Sequence, residues 1–266
     1  MKLSYRNQRN AEAVARYWNK PLEKPDWYRI EALSDDDAEI MIYDVIGWPF
    51  VEASEFVRAI SEMKQSIITV RINSPGGDVF DGIAIFNALK AHKSKIVTRV
   101  ESLAASISSV IALAGSEVQA YQNTMMMIHE PWTYAFGNQY DLRETAEILE
   151  KISSNMVDIY SGSSSLGKRE IKQIMKDETW LTAKEAKDKG FVDTILDGKA
   201  IKAEFDLSIF ANAPHEPTER EREKALRDVG FTLKEAKAIL AGRRESSGIE
   251  AMKAELERII SIFGGK

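Results

Sequence analysis

Three short stretches of this chain bring together residue types that could do chemistry. In "SLAASISSVIALAG", residues 102 to 115, a run of small apolar residues is interrupted by hydroxyls, and Ser106 stands where a buried helix is expected to begin. Unpaired backbone N–H groups at such a start would stabilise an oxyanion developing beside the hydroxyl. The bland alternative is that Ser106 only caps the helix, and Ser102, Ser108 and Ser109 fit that class. In "VRINSPGGDVFDG" a strand runs into Pro75, Gly76 and Gly77, whose lack of side chains lets backbone N–H groups approach a ligand, while Asp78 can cap the next helix. The stretch lacks the endings of a Walker A loop or a dinucleotide fingerprint, so by itself it reads as a tight strand-to-helix turn. In "MMMIHEP" His129 ends a strongly apolar strand. Of the three histidines, His92 lies at the polar end of a helix and His215 in a charged linker, which leaves His129 as the candidate base. A lone histidine is more often structural than catalytic, and a serine before it with a carboxylate still to come shifts the balance toward nucleophilic catalysis.

These residues need a scaffold, and the chain alternates in a way that supplies one. From Ala38 onward "AEIMIYDVIG" reads as a strand, "VEASEFVRAISEMK" as a helix, "SIITVRI" as a strand and "VFDGIAIFNALKAH" as a helix. "KIVTRVE" then reads as a strand, "AASISSVIALAG" as a helix, "VQAYQ" and "MMMIHEP" as strands, and about 141 to 160 as a long helix. "LTAKEAKDKG" reads as a helix closing at Gly190, with a strand over 191 to 196. Strands alternating with helices predict parallel β-α-β crossovers and an α/β layered fold. Residues 1–37 are polar and read as an N-terminal arm, 38–204 as the main domain, and 205–266 as a charged linker followed by a helical tail. Within that tail Thr232 and Glu235 have capping-box spacing before a helical hairpin's second arm. Ile249, Met252, Leu256, Ile259 and Ile260 recur at helical spacing, which predicts a packing face.

Composition excludes other classes. The chain has 266 residues and a net charge of -5, so no global positive field recruits nucleic acid or an anionic membrane. With no cysteine, disulfides, thiolate metal sites and a cysteine nucleophile are excluded. No secretory signal and no apolar run of membrane-spanning length is legible, and a cytoplasmic protein is expected.

Taken in order, "INSPGG", "AASISSVIALAG", "MMMIHEP" and "DETWLTAKEAKDKGFVD" resemble the successive signature segments of the ClpP family of serine peptidases, over about residues 38 to 198. "PDWYRIEA" and "ALRDVGFTLKEAKAILAG" resemble the flanks of the phage-type members, the head maturation (prohead) proteases. The resemblance implies a ClpP/crotonase-like layered β-α-β superhelix with a helical C-terminal appendage. It implies Ser106 as nucleophile, His129 as general base, and an oxyanion hole at the N–H groups of Gly77 and Ile107. Glu178 stands where the cellular enzymes have an Asp, with Asp177 just before it, so the third member is Glu178 or Asp177. Ser102 stands where the family often has Gly. Residues 133 to 139 are the expected substrate-binding edge, and the long helix that follows the expected contact between stacked rings.

By the same resemblance the chain is a serine endopeptidase acting on scaffold or other capsid-assembly proteins. It would work as a homo-oligomeric ring, without metal or organic cofactor, in the host cytoplasm or an assembling prohead. An AAA+ ATPase partner belongs to the alternative, a cellular ATPase-assisted peptidase, and the polar first 37 residues do not resemble that subunit's start. An inactive ring-forming structural homologue and a crotonase-like acyl-CoA enzyme are the remaining readings, the latter having no use for the serine-histidine order.

Overall fold

The computed structural model describes Ala15, residues 30–34, 36–47 and 49–198, Phe205, Leu207, residues 210–213, and the tail segments 219–228 and 231–240. Most of the expected N-terminal arm, the linker at 214–218 and the apolar stripe from Ile249 to Ile260 lie outside the described residues. The chain divides into two compact units, Met1–Ala213 and Pro214–Lys266. The first therefore runs past residue 204, where the sequence reading sets the end of the main domain.

The first unit is an α/β structure on a mostly parallel sheet. Its strands are β1 (Ile30–Ala32), β2 (Asp37–Ile42), β3 (Ile67–Ser74), β4 (Lys95–Ala105), β5 (Glu117–Tyr121), β6 (Met125–Ile128), β7 (Thr179–Thr182) and β8 (Thr194–Leu196). They lie in the order β1-β2-β3-β4-β5-β8, with β6 pairing β4 and β7 off that path. β1 is antiparallel to β2 and β7 antiparallel to β6, while the other pairs are parallel. On the edge away from β3, the long β4 serves two neighbours: Val97 to Val100 pair with β5, and Leu103 to Ala105 pair with β6. That fork carries the end of β4 and the end of β6 forward side by side.

Helices α1 (Ala53–Glu62), α2 (Val79–Ala91), α3 (Ile107–Ala112), α4 (Gln139–Gly162), α5 (Lys168–Lys176) and α6 (Ala183–Asp188) complete the unit. In β2 the burial alternates, with Ala38, Ile40 and Ile42 inward, as a strand packed on one face requires. These side chains join Ile68, Val70 and Ile72 of β3, Phe56 and Ile60 of α1, Ile85 and Leu89 of α2, Val110 and Ile111 of α3 and Tyr160 of α4 in one core. α2 starts where its sequence says it should: the Asp78 carboxylate accepts from the N–H groups of Phe80 and Asp81.

The opposite face of the sheet carries a charged ladder. Arg71 donates from Nε and Nη2 to the two carboxylate oxygens of Glu101, at 2.7 and 2.9 Å, and from Nη1 to Glu39 at 3.1 Å; Arg99 reaches the other Glu39 oxygen at 3.2 Å. Burial and the nearby Glu39 push the Glu101 carboxyl up to about 7. Two residues further along β4, on the same face, the ladder gives way to a second apolar cluster containing Leu103, Ala105, Met127 and Phe210.

The structure departs from the sequence reading in three places. Ala104 and Ala105 belong to β4, so the buried helix is the six-residue α3 rather than 104–115. The small side chains suit a strand buried on both faces as well as a buried helix, and pairing with β3 and β6 decides between them. Helix α5 and strand β7, over 168–182, have no counterpart in the sequence reading, whose helix toward Gly190 begins only at Leu181. Residues 133 to 139, the expected substrate edge, form no strand pairing; the segment is irregular until Asn138 caps α4 through a capping box with Asp141. Tyr134 and Phe136 in it are exposed.

In the second unit α7 (Glu219–Asp228) and α8 (Leu233–Leu240) form the helical pair expected there. The Ala236 N–H bonds to the Thr232 carbonyl, while the Glu235 side chain lies outside the described residues.

Candidate active site

Parallel strands bring their carboxyl ends to one edge of a sheet, which is where α/β folds build sites. Three such ends meet here. Ser74 at the end of β3 lies beside Ala104 of β4, and Ala105 lies beside Met127 of β6. The glycine turn after β3, the serine after β4 and the histidine after β6 therefore emerge together.

Ser106 occupies the single residue between β4 and α3, with φ 54° and ψ -130°. A non-glycine residue rarely takes a positive φ, and a strained strand-to-helix turn of this kind lifts a side chain clear of the sheet. Its hydroxyl makes no capping bond to α3, so the bland role is not the one it plays; its N–H is tied to the Met127 carbonyl at 3.0 Å. Ser106 Oγ lies 2.8 Å from His129 Nε2. The neighbouring hydroxyls are used structurally. Ser108 donates to the carbonyls of Ser74 and Ala105, and Ser109 donates to the Ser106 carbonyl beside the buried Tyr160 hydroxyl.

The glycine turn lies against this elbow. A Cβ on Gly76, at φ +94°, would stand 2.6 Å from Ser106 Cβ and 2.7 Å from the Ala105 carbonyl oxygen. A Cβ on Gly77 would meet the Ile46 carbonyl oxygen at 2.0 Å. Only glycine allows both approaches. The carbonyl of Gly76 and the N–H of Asp78 are bonded to Ile46, at 2.8 and 2.9 Å, which pins the turn on either side of Gly77. Among the described residues, neither the Gly77 N–H nor the Ile107 N–H donates to a protein acceptor.

His129 is buried, and desolvation holds its imidazole below the ordinary histidine value, with the Glu178 carboxylate pulling the other way. Glu178 comes near because β7 runs antiparallel to β6, which sets Thr179 opposite Ile128. It too has a positive φ, 46°. No hydrogen bond or ion pair joins Glu178 to His129 among the described residues. Instead, its Oε2 accepts from the Ala211 N–H at 2.9 Å, and its Oε1 accepts from the Asn212 N–H at 2.5 Å and from Trp180 Nε1 at 3.3 Å. Asp177 faces elsewhere: both its carboxylate oxygens accept from Gln173 at 2.8 Å on the exposed side of α5.

The sequence reading missed Trp180 and residues 210–212. Phe210 packs edge-on against His129, with ring centroids 5.6 Å apart, and against Trp180 at 5.8 Å. Nothing in the local pattern of "FDLSIFANAP" marks it as part of a site more than 80 residues from His129. The nearest sequence signal is Phe210 itself, an aromatic just before a Pro-rich charged stretch. Among the described residues no group of His, Asp and Glu is arranged to hold a metal ion, and no helix is long and apolar enough to cross a membrane.

Taken together, the site offers a hydroxyl bonded to a buried imidazole, a carboxylate whose charge acts on that imidazole, and two N–H groups without a protein acceptor among the described residues, one in the glycine turn and one at the start of α3. Such a set can activate an oxygen nucleophile and hold an oxyanion. Comparison with known proteins points the same way. Residues 25–199 match the Clp protease family. The chain is 31% identical to the ATP-dependent Clp protease proteolytic subunit of Bacteroides fragilis over 131 residues, 48% of this chain and 63% of that protein, so it spans rather less than two thirds of that relative. It is 35% identical to proteolytic subunit 1 of Chlamydia abortus over 136 residues, 50% of this chain and 70% of that one. With proteolytic subunit 1 of Protochlamydia amoebophila it shares 30% identity over 177 residues, 63% of this chain and 84% of the relative. The matched span contains the whole β-α-β sheet together with Ser106, His129 and Glu178, and the chain belongs to the Clp protease family.

Proposed function

We propose that this protein is a serine endopeptidase of the ClpP type. The observation that carries the reading is the 2.8 Å contact between Ser106 Oγ and His129 Nε2 at a strained turn. His129 Nε2 takes the proton of Ser106 as Oγ attacks the scissile carbonyl. The tetrahedral oxyanion is held by the N–H groups of Gly77 and Ile107. His129 then protonates the leaving amine, and a water repeats the cycle on the acyl-enzyme. A lowered histidine value favours the neutral, proton-accepting imidazole near neutral pH. Glu178 rather than Asp177 is the third member, since Glu178 is the carboxylate that acts on His129 while Asp177 is bonded to Gln173. In this role it stabilises the imidazolium formed during the reaction.

The biological setting is part of the same proposal: a phage prohead protease, assembled as a homo-oligomeric ring, cleaving scaffold or capsid-assembly proteins in the host cytoplasm or the assembling prohead. It is supported by the flanking segments 25–32 and 225–242, which resemble those of phage-type members. The alternative, a cellular peptidase working with an AAA+ ATPase, draws on the relatives, which are named as subunits of ATP-dependent proteases.

The test is intact-mass analysis after a fluorophosphonate probe, on wild type and Ser106→Ala, with oligomer size measured on the same samples. A single adduct on wild type that Ser106→Ala lacks is expected. An assembled wild-type ring that takes no adduct would overturn the peptidase reading in favour of a structural homologue.

A further inference from the structure

Phe210, Ala211 and Asn212 come from beyond the last strand of the sheet, outside the span that matches the family, yet they touch both partners of the nucleophile. We propose that residues 210–212 are a positioning strap: Phe210 fixes the His129 ring, and the backbone N–H groups of Ala211 and Asn212 fix the Glu178 carboxylate. This inference rests on the serine peptidase reading of the site.

Four observations carry it. The Phe210 ring is almost fully buried, wedged edge-on between His129 and Trp180 and packed with Leu103, Ala105 and Met127 beneath the site. Two consecutive N–H groups, at 2.9 and 2.5 Å, reach the two oxygens of one carboxylate, a fork that sets the plane of that carboxylate as well as its place. Asn212 Nδ2 also donates to the Asp177 carbonyl at 3.0 Å, tying the strap to the chain just before Glu178. Finally, the Ser106–His129 hydrogen bond is formed with the strap in place, and among the described residues Phe210, Ala211 and Asn212 make no bond to Ser106, Gly77 or Ile107. The strap therefore lies behind the machinery and leaves the nucleophile open, the arrangement of a support and not of a plug.

The physical need is clear from the glutamate. Its side chain has one more rotatable bond than an aspartate, and without fixed donors the carboxylate would wander relative to the imidazole. Three N–H donors, two from the strap and one from Trp180, remove that freedom, and a carboxylate still has a lone pair left for the imidazole as positive charge develops. Phe210 supplies part of the apolar wall that keeps water from His129. The Glu178 charge raises the His129 value against the desolvation that lowers it, so changes in the strap reach the imidazole through the wall and this carboxylate.

The experiment uses the full chain with isotope-labelled histidine. The titration of His129 is followed by NMR in wild type, Phe210→Ala, Phe210→Leu and Asn212→Pro, the resonance being assigned by its loss in His129→Gln. Fluorophosphonate labelling rates and melting temperatures are measured on the same samples. Opening the wall in Phe210→Ala is expected to move the His129 titration upward, toward the ordinary histidine value, and Phe210→Leu to restore most of the difference. Removing one N–H from the fork, together with the Nδ2 tie to the Asp177 carbonyl, in Asn212→Pro is expected to slow labelling about 10-fold with the chain still folded. Folded variants whose His129 titration and labelling both match wild type would overturn the strap, and so would variants that label faster, which would make the segment a brake. If wild type itself does not label, the peptidase reading fails, while the NMR titration still decides whether the strap controls His129.

Discussion

Replacing Gly76 by alanine tests whether the glycine turn must touch the nucleophile. The added Cβ would stand 2.6 Å from Ser106 Cβ, 2.7 Å from the Ala105 carbonyl oxygen and 3.2 Å from the Ile107 nitrogen. Carbon atoms in contact rest at about 3.5 to 4.0 Å, so elbow and turn must separate by roughly 1 Å. The backbone of neither can yield freely. Ser106 N–H is bonded to Met127, and the turn is bonded on both sides of Gly77 to Ile46. A displacement of about 1 Å in a catalytic constellation costs on the order of 100-fold in rate. The φ of +94° adds backbone strain of about 1 to 3 kcal/mol, since an L-residue rarely adopts it. In a unit of this size that lowers the melting temperature by roughly 2 to 12 °C. The assay is the fluorophosphonate labelling rate of Gly76→Ala against wild type at a temperature where both are folded, with oligomer size checked. Labelling within about threefold of wild type would refute the reasoning, because the oxyanion donor and the nucleophile would then not depend on this approach.

Two further outcomes follow from the charges. In Glu178→Gln the influence that raises the His129 value is gone while burial still lowers it, so the acid limb of the pH–rate profile should move to lower pH. The plateau rate should fall about 10-fold for want of a charge beside the imidazolium, and an acid limb that moves upward would contradict the assignment of Glu178. Arg71→Met strips the bidentate partner from the buried Glu101 and should cost about 3 kcal/mol, read as a fall in the denaturation midpoint. Because the Glu101 carboxyl is raised above its unfolded value, to about 7, the folded chain keeps that proton longer than the unfolded chain, and the associated stability is present at low pH and lost as pH rises through the folded value. The Arg71→Met deficit should therefore be larger at about pH 8 than at about pH 5.5, and an equal deficit at both would remove Glu101 from the explanation.

Much of this molecule is written in local pattern. Alternation in "AEIMIYD" and "SIITVRI" and the helical runs that follow identify β2, α1, β3 and α2, because burying one face of a strand or helix imposes its period on the residues. Gly76, Gly77 and Asp78 are legible for a local reason as well: the turn needs conformations and close approaches that side chains forbid, and the next helix needs a cap. Ser106 and His129 stand out by type and position. Their 2.8 Å contact could not be read from spacing, since it depends on β4 forking to take β6 as well as β5 on the edge away from β3.

What only the tertiary structure decided lies where distant segments meet. Ala104 and Ala105 read from local pattern as the start of a helix, but pairing on both sides makes them strand, leaving Ser106 to absorb the whole change of direction in one strained residue. Glu178 and Asp177 are indistinguishable by composition. The antiparallel pairing of β7 with β6 sets Glu178 beside the end of β6, where its charge acts on His129, while Gln173 holds its neighbour on the surface. Residues 210–212 carry no periodic or motif signal at all, because a strap acts through two backbone N–H groups and one apolar ring, features that most sequences could supply. The sequence determined which chemistry the chain could support and on what class of scaffold. The folded structure determined which backbone donors hold the Glu178 carboxylate, because those contacts join segments whose separation along the chain leaves no imprint on local residue pattern.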